Sequence, residues 1–215
     1  MASVKKSLQE LKVVQQGIQS CRACPQMVGP PVHGSLVLSP VLLLGQAPGP
    51  HEGALGKPFA YTAGKTLFRW LHDALGVGES QFRERVYMAA VARCYPGKGS
   101  GGGDRVPNTR EIEHCSEHLK REIQILNPQL VLAVGTLAIA QVLGPEVYGP
   151  KARLTDVVGV LVTSRFHERD VDVICLPHPS GLSTWPKVEP GKTLLRKALQ
   201  LLGEHDACQA IFPRS

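Results

Sequence analysis

Four cysteines have the spacing of a metal site. Cys21 and Cys24 form a CxxC pair, Cys94 follows after about seventy residues, and Cys115 lies about twenty residues further on. Two thiolates of a CxxC turn can bind one metal centre, and two more complete a set of four sulfur ligands. The spacing is longer and less even than that of a compact zinc finger. The sequence therefore predicts a site for zinc or for an iron–sulfur cluster.

Two polar motifs directly follow apolar runs. Gly45-Gln46-Ala47-Pro48-Gly49 comes after residues 41–44, and His178-Pro179-Ser180-Gly181-Leu182-Ser183 comes shortly after residues 173–176. A glycine-rich loop can offer its backbone N–H groups to a ligand without side chains that block a close approach. Ligands of parallel sheets bind at the carboxyl ends of the strands. We therefore expect the two motifs to meet at one edge of a sheet and to form one site.

The pattern of apolar residues predicts the elements that position these motifs. Four segments read as strands, and a fifth segment, residues 157–163, fits a further strand or an edge hairpin. The four strands are residues 41–44, 86–91, 130–134 and 173–176. The helices are residues 5–20, 65–75, 109–125, 136–143 and 191–202. This alternation predicts a three-layer α/β/α fold with a central, mainly parallel, four-stranded sheet. The length predicts a single domain over residues 1–215, with an N-terminal helical arm over about residues 5–24.

Charge and composition narrow the function. The chain of 215 residues has a formal net charge of +6, which favours a polyanionic partner and nucleic acid above all. A soluble basic protein without such a partner would carry the same charge. No run of eighteen apolar residues and no signal-peptide core are present, so we expect an intracellular protein that spans no membrane. In a reducing compartment, cysteines favour metal ligation over disulfides. Cys175 and Cys208 are predicted to be buried core thiols.

Taken together and in order, these motifs resemble the uracil-DNA glycosylase superfamily, most closely its family four, the iron–sulfur branch of bacteria and archaea. The resemblance extends from about Leu8 to Leu202. It rests on the four cysteines, on the loop 45–49 with Glu52, on Gly56-Lys57-Pro58-Phe59 with Ala63-Gly64, on the segment 94–115, which is about five residues longer here, and on the motif 178–183.

The resemblance implies a fold, a reaction and a cofactor. The fold would be that of a uracil-DNA glycosylase, and the reaction would be hydrolysis of the N-glycosidic bond of deoxyuridine in DNA, with base flipping, to leave an abasic site. The cofactor would be a [4Fe-4S] cluster in a structural role that ties in the N-terminal arm. Its ligands would be Cys21, Cys24, Cys94 and Cys115.

The resemblance also assigns roles around the base. His178 would donate a hydrogen bond to the uracil O2 as negative charge develops there. Gln46 and Ala47 would lie against the flipped base, and Gln46 also against its sugar. Phe59 would be the stacking platform, although a plain core position fits it as well. Glu52 is the candidate to polarise the water or the sugar, so the catalytic set is His178, Glu52 and Gln46.

The second motif would supply most of the DNA contacts. Ser180 and Ser183 would grip phosphates, and Leu182 would fill the hole left by the flipped base, as apolar wedges do in other DNA-binding proteins. Lys187 is a candidate phosphate contact, although a solvated charged face explains it equally well.

Three departures from the family bear on specificity and mechanism. Ala47 stands where family one has a water-positioning aspartate, and family four shares this alanine. Ala90 stands where many relatives have an asparagine that reads the uracil edge, so other deaminated bases, such as hypoxanthine or xanthine, become candidate substrates. Tyr61 replaces the usual glycine of family four, and a tyrosine near the pocket could exclude the thymine methyl group.

These departures leave a second function open, that of a catalytically weak, glycosylase-like protein that binds damaged DNA. Under either function the partner is DNA that contains uracil or another deaminated base. We expect the protein to be a monomer in the cytoplasm, associated with the nucleoid, and to have no membrane partner.

Overall fold

The computed structural model describes residues 2–181 and 183–213. Its centre is a five-stranded sheet with the strand order β2-β1-β3-β5-β4. The strands are β1 (Val41–Gly45), β2 (Tyr87–Ala90), β3 (Leu130–Val134), β4 (Leu161–Phe166) and β5 (Arg169–Leu176).

Helices of the described residues flank the sheet. They are α1 (Ala2–Ser20), α2 (Glu52–Leu55), α3 (Thr62–Leu75), α4 (Glu79–Arg85), α5 (Thr109–Leu126), α6 (Thr136–Val147), α7 (Leu154–Val157), α8 (Gly191–Glu204) and α9 (Asp206–Ile211). Helix α1 packs against α5, helix α3 packs against α8, and α6 and α8 contact the strands directly. The predicted α/β fold, with a mainly parallel sheet between helices, is confirmed.

The strand number is a correction. Strands β2, β1, β3 and β5 are parallel as predicted, but β4 adds a fifth strand that runs antiparallel to β5. The prediction placed this edge hairpin at residues 157–163, whereas residues 154–157 form α7 and β4 begins at Leu161. Along β4 the side chains alternate between exposed and partly buried. This half-solvated edge gave a weaker apolar signal than the fully buried strands.

Helix ends follow local chemistry. Asn108 and Glu111 form a reciprocal capping box at the start of α5, since the Asn108 side chain accepts from the Glu111 N–H at 3.0 Å and the Glu111 carboxylate accepts from the Asn108 N–H at 2.9 Å. Helix α6 is kinked at Gly144, which has a φ of 71°, so the predicted end at residue 143 coincides with the kink. The short helices α2, α4, α7 and α9 were not predicted, because a few residues show too little periodicity.

The topology places the functional motifs. Strand β1 pairs in parallel with β2 on one side and with β3 on the other, so the strand order reverses beside β1. Such a reversal opens a crevice at the carboxyl ends of the strands. The loop at Gly45 and the end of β2 at Ala90 lie at this edge, and residue 178 follows the end of β5 there.

A buried polar network links the sheet to two helices. Arg93 forms an ion pair with Glu122 of α5, and both side chains are almost fully buried. The hydroxyl of Tyr87 donates to the other Glu122 oxygen at 2.6 Å, and Gln15 of α1 approaches the same hydroxyl at 3.4 Å. Burial, with Glu122 beside it, raises the pKa of Tyr87 well above its ordinary value, so the phenol keeps its proton. The network therefore fixes α1 and α5 against β2.

We expect Glu122→Gln to lower the free energy of unfolding by about 3–5 kcal/mol, because it leaves the charge of Arg93 buried without a counter-charge. Urea denaturation would measure the change. The double variant Arg93→Met/Glu122→Gln should recover much of the loss, since it buries no charge.

The matched control is Asp170→Asn, which breaks the exposed pair with Arg165 and should cost less than about 1 kcal/mol. An equal loss for Glu122→Gln and Asp170→Asn would contradict the structural importance of the buried pair.

Candidate active site

One cleft of about 400 Å³ lies at the carboxyl edge of the sheet. The loop after β1, the end of β2, the start of α3 and the motif after β5 all contribute to its wall. It brings together seven side chains predicted to act at the site, Gln46, Ala47, Glu52, Phe59, Tyr61, His178 and Ser180. The prediction that the two motifs meet at one edge is confirmed.

Phe59 forms part of the wall in an unusual backbone conformation. Its φ is +52°, and its ring lies so close to Gly45 that a Cβ there would come within 2.7 Å of the ring. Arg83 holds this conformation, because its guanidinium donates to the carbonyl oxygens of Pro58 and Phe59 at 2.9 and 3.0 Å. Gly64 closes the other side, with no room for a side chain against the Phe59 carbonyl. The aromatic ring is therefore fixed before any ligand enters.

Glu52 ties together the two ends of the loop that borders the cleft. Its carboxylate accepts from the Gly49 N–H at 3.1 Å and from the Ala60 N–H at 3.0 Å, one bond to each oxygen. Burial raises the pKa of Glu52, and the two backbone hydrogen bonds partly offset this effect. The side chain is 7% exposed. Glu52 thus positions both the glycine loop and the segment that carries Phe59.

His178 presents a defined donor. Its Nδ1 accepts from the backbone N–H of Ser180 at 3.3 Å, so the neutral ring carries its proton on Nε2. Desolvation lowers the pKa of His178, and the negative charge of Asp104 opposes this effect. The neutral imidazole is therefore favoured near neutral pH, and its Nε2–H has no hydrogen-bond partner in the part of the chain that the structure describes.

Two methyl groups, those of Ala47 and Ala90, lie in the cleft wall. Ala90 is paired with Gly45 at the end of the strands, and both Ala90 and Ala47 line the cleft. Tyr61 lies at the rim with 48% of its surface exposed, and its ring centroid is 4.3 Å from that of His51. The three positions at which the sequence departs from the family pattern, Ala47, Ala90 and Tyr61, therefore all lie at the cleft.

The predicted DNA contacts are only partly in the cleft wall. Ser180 lines it, whereas the described lining does not include Ser183 or Lys187. The Ser183 N–H bonds to the Ser180 carbonyl at 3.1 Å, and the Lys187 ammonium donates to the Gly181 carbonyl at 3.0 Å, so both hold the loop. Leu182, the predicted wedge, lies outside the described residues.

The sequence analysis missed one part of the wall. Pro96, Asp104 and Val106, which flank the glycine-rich stretch after Cys94, also line the cleft. The one feature of the sequence that could have indicated this contribution is Asp104, an acidic residue directly after the run Gly101–Gly103. Its distance along the chain from both motifs gave no indication that it would reach them.

A second cavity, of about 480 Å³, is lined by all four predicted metal ligands, Cys21, Cys24, Cys94 and Cys115. We call it the cysteine cavity. None of these cysteines is in a disulfide, and Cys115 lies on α5. His114 also lines the cavity, with its Nδ1 3.5 Å from the Cys24 sulfur. The wall therefore brings together the N-terminal CxxC turn and the segment between β2 and α5.

The four sulfurs share this cavity, but the described residues include no group of three or more His, Cys, Asp or Glu side chains that could hold a metal ion. Four thiolates are the donor set of an iron–sulfur cluster and also of a structural zinc site. Burial and the neighbouring cysteines raise the pKa of Cys94 to about 11. Nε and Nη1 of Arg93, which also lines the cavity, are buried and have no partner among the described residues.

The two remaining cysteines are buried in the core as predicted. Cys175 lies on β5 and Cys208 on α9, and burial raises the pKa of each to about 12. Of the helices that the structure describes, none is long and apolar enough to cross a membrane.

Comparison with known proteins identifies the family. A sequence model described as the uracil DNA glycosylase superfamily matches residues 31–203. The chain is 30% identical to a type-4 uracil-DNA glycosylase of Pyrobaculum aerophilum, over 82% of this chain and 86% of that protein. It is also 30% identical to a type-4 uracil-DNA glycosylase of Thermotoga maritima, over 69% of this chain and 72% of that protein.

The chain therefore belongs to the uracil DNA glycosylase superfamily. The resemblance inferred from the motifs is confirmed, and so is the enzyme class at the level of the family.

The packing around Phe59 leads to a test with two helical glycines. A Cβ on Gly64, in α3, would lie 1.8 Å from the Phe59 carbonyl oxygen, so Gly64→Ala must displace the backbone that presents the ring. We expect a loss of about 1–3 kcal/mol in the free energy of unfolding, as for other overpacked sites.

The control is Gly17→Ala in α1, where the added methyl group meets nothing within 4 Å. Alanine is the better helix former, so this change should stabilise the protein by about 0.5–1 kcal/mol. Thermal or urea unfolding of both variants checks the pair. A gain at both positions would show that Gly64 is not sterically required.

Proposed function

We propose that this protein hydrolyses the N-glycosidic bond of deoxyuridine in DNA and leaves an abasic site. The observation that carries the proposal is the cleft itself, which places the Nε2–H donor of His178 in one pocket with the ring of Phe59 and the side chain of Gln46. Relatives named type-4 uracil-DNA glycosylases support the substrate.

The base would enter the cleft flipped out of the DNA stack. Phe59 would stack on it, and stacking on an aromatic side chain is worth about 1–3 kcal/mol per base. The fixed backbone of Phe59 supports this role, because a ring that is already positioned loses little freedom on binding. Gln46 would lie against the base and its sugar, and Ala47 would border the base.

His178 would stabilise the leaving group. As the N-glycosidic bond lengthens, negative charge builds on the uracil, and the Nε2–H of His178 would donate to O2. A neutral donor suits this task, and a preorganised donor costs no reorganisation at the moment of reaction. Glu52 would act chiefly by holding the Gly49 and Ala60 amides in place. Its carboxylate also borders the cleft, so it remains a candidate to polarise the water or the sugar.

DNA binding would use the loop of the second motif and the positive net charge. Ser180 and Ser183 would contact phosphates, Leu182 would fill the space of the flipped base, and Lys187 would support the loop and the nearby phosphate. We further propose that the protein acts as a monomer on DNA in the cytoplasm.

We propose that Ala47, Ala90 and Tyr61 influence which bases the cleft accepts. Position 90 has a methyl group and so offers no bidentate amide contact, which would be worth about 1–3 kcal/mol of discrimination. Other deaminated bases, such as hypoxanthine, are therefore candidate substrates. Tyr61, at the rim, would exclude the methyl group of thymine.

The cysteine cavity is proposed to hold a [4Fe-4S] cluster on Cys21, Cys24, Cys94 and Cys115. The unpartnered N–H groups of Arg93 support this assignment, since a buried cation with free donors suits a set of thiolates. The bound cluster would supply a structural cross-link. It would tie the arm at residues 5–24 to α5 and make residues 1–215 one domain.

Removal of one ligand tests the cofactor. We expect Cys115→Ser to lose the visible absorbance of an iron–sulfur centre, together with its iron and sulfide, and to unfold more easily, because metal binding is linked to folding. The control Cys208→Ser changes a core thiol outside the cysteine cavity and should keep the iron. A colourless protein with stoichiometric zinc would contradict the cluster.

The reaction is tested by release of free uracil from a uracil-containing oligonucleotide under single-turnover conditions. His178→Ala should lower the rate about 100- to 1,000-fold, as loss of an oxyanion donor does, with little change in the Kd for DNA. His72→Ala, on α3 outside the cleft wall, is the control and should keep the rate.

Two outcomes would redirect the proposal. Tight binding of the oligonucleotide without release of uracil by the native protein would favour the alternative function, a protein that binds damaged DNA. Equal losses in rate and affinity for His178→Ala would contradict its role in the transition state. The same assay with hypoxanthine, xanthine and thymine substrates measures the selectivity.

A further inference from the structure

The segment between β2 and α5 forms a small hairpin beside the cleft, and Pro96, Asp104 and Val106 of this segment line the cleft. Lys98 and Asp104 form an antiparallel bridge, the Gly99 N–H bonds to the Gly103 carbonyl at 2.7 Å, and the Arg105 N–H bonds to the Gly97 carbonyl at 2.9 Å. These bonds give the glycine-rich stretch a defined path. We call residues 97–105 the glycine hairpin.

The base of the glycine hairpin is anchored to α5. The Arg105 guanidinium donates two hydrogen bonds to the Glu111 carboxylate, at 2.6 and 2.7 Å, and Glu111 is part of the box that caps α5. A bidentate pair of this kind fixes direction as well as distance. The anchor therefore fixes the end of the glycine hairpin, next to Asp104, against the start of α5.

That residue is Asp104, and one of its oxygens is held. Oδ1 accepts from the Tyr95 hydroxyl at 2.9 Å and from the Lys98 ammonium at 3.1 Å. Oδ2 receives no hydrogen bond from the part of the chain that the structure describes. The carboxylate lines the cleft together with His178, and its negative charge partly opposes the desolvation that lowers the pKa of the imidazole.

The described wall of the cleft contains two acids, Asp104 and Glu52. Both Glu52 oxygens are occupied by backbone N–H groups, whereas Asp104 keeps one oxygen for a ligand. The side chains of Ala47 and Ala90 offer no polar atom to a water molecule. With one oxygen that receives no hydrogen bond from the described residues, Asp104 is the acid of the two with the greater capacity to accept from a nucleophilic water.

We propose that Asp104 is a further catalytic residue, which orients the attacking water and stabilises the positive charge that develops on the sugar. This inference rests on the proposed glycosylase function. As the C1′–N1 bond breaks, its electron pair leaves with the uracil, whose O2 accepts from His178. The water oxygen bonds to C1′, and its proton passes to Asp104 and then to solvent. The uracil anion takes a proton from solvent.

The test compares four variants in single-turnover release of uracil. Asp104→Asn removes the charge but keeps an oxygen for Tyr95 and Lys98, and we expect a rate about 100- to 10,000-fold lower, the range of general acid–base catalysis. The Kd for the oligonucleotide should stay the same or fall, since a negative charge near the phosphates is removed. Asp170→Asn, at an exposed pair outside the cleft wall, should keep the native rate.

The double variant Tyr95→Phe/Lys98→Met distinguishes a catalytic role of the Asp104 charge from a role of Asp104 in ordering the glycine hairpin. It removes both tethers and keeps the carboxylate, so we expect a much smaller loss of rate than for Asp104→Asn. Asp104→Glu should restore part of the activity. Urea unfolding of each variant verifies that the fold is intact.

The outcomes separate this inference from the proposed function. If the native protein releases uracil and Asp104→Asn releases it equally fast, the role of Asp104 is wrong while the glycosylase function stands. If the double variant loses as much rate as Asp104→Asn, the residue only orders the glycine hairpin. If the native protein releases no uracil, the proposed function itself fails.

Discussion

The buried ion pair between Arg93 and Glu122 is the interaction on which much of the structure depends. It lies directly after β2, and its residues reach the sheet, α5 and, through Tyr87, helix α1. A buried pair of charges is favourable only when its hydrogen bonds are satisfied, and Nε and Nη1 of Arg93 have no partner among the described residues. These two N–H groups lie at the wall of the cysteine cavity. The thiolates of the proposed cluster would accept hydrogen bonds from them.

The same segment of chain serves both the cysteine cavity and the cleft. Cys94 follows Arg93 directly, and the glycine hairpin begins three residues later. Any group that fixes Cys94 and Cys115 therefore also limits where Asp104 can lie. A structural cofactor would in this way influence the chemistry at the cleft without taking part in it.

Preorganisation of the cleft comes from backbone contacts rather than from bulky packing. Glu52 holds two loop amides, Arg83 holds two carbonyls, and Gly64 permits a backbone approach that a side chain would block. These contacts fix Phe59 in a conformation that is uncommon for a residue with a side chain. Such strain is maintained only where the surroundings determine it, which is typical of a ligand site.

The fold class, the parallel strands, the set of four cysteines and most of the cleft wall could be predicted from the sequence, because continuous apolar runs and ordered motifs are local signals. It did not give β4, the short helices or the contribution of Asp104. An edge strand is only half buried, a four-residue helix has no periodicity, and a glycine-rich stretch has no preferred path of its own. These features depend on tertiary contacts between different parts of the chain, such as the bond between Arg105 and Glu111 and the backbone bonds of the glycine hairpin, which bring Asp104 into the cleft wall that also contains His178.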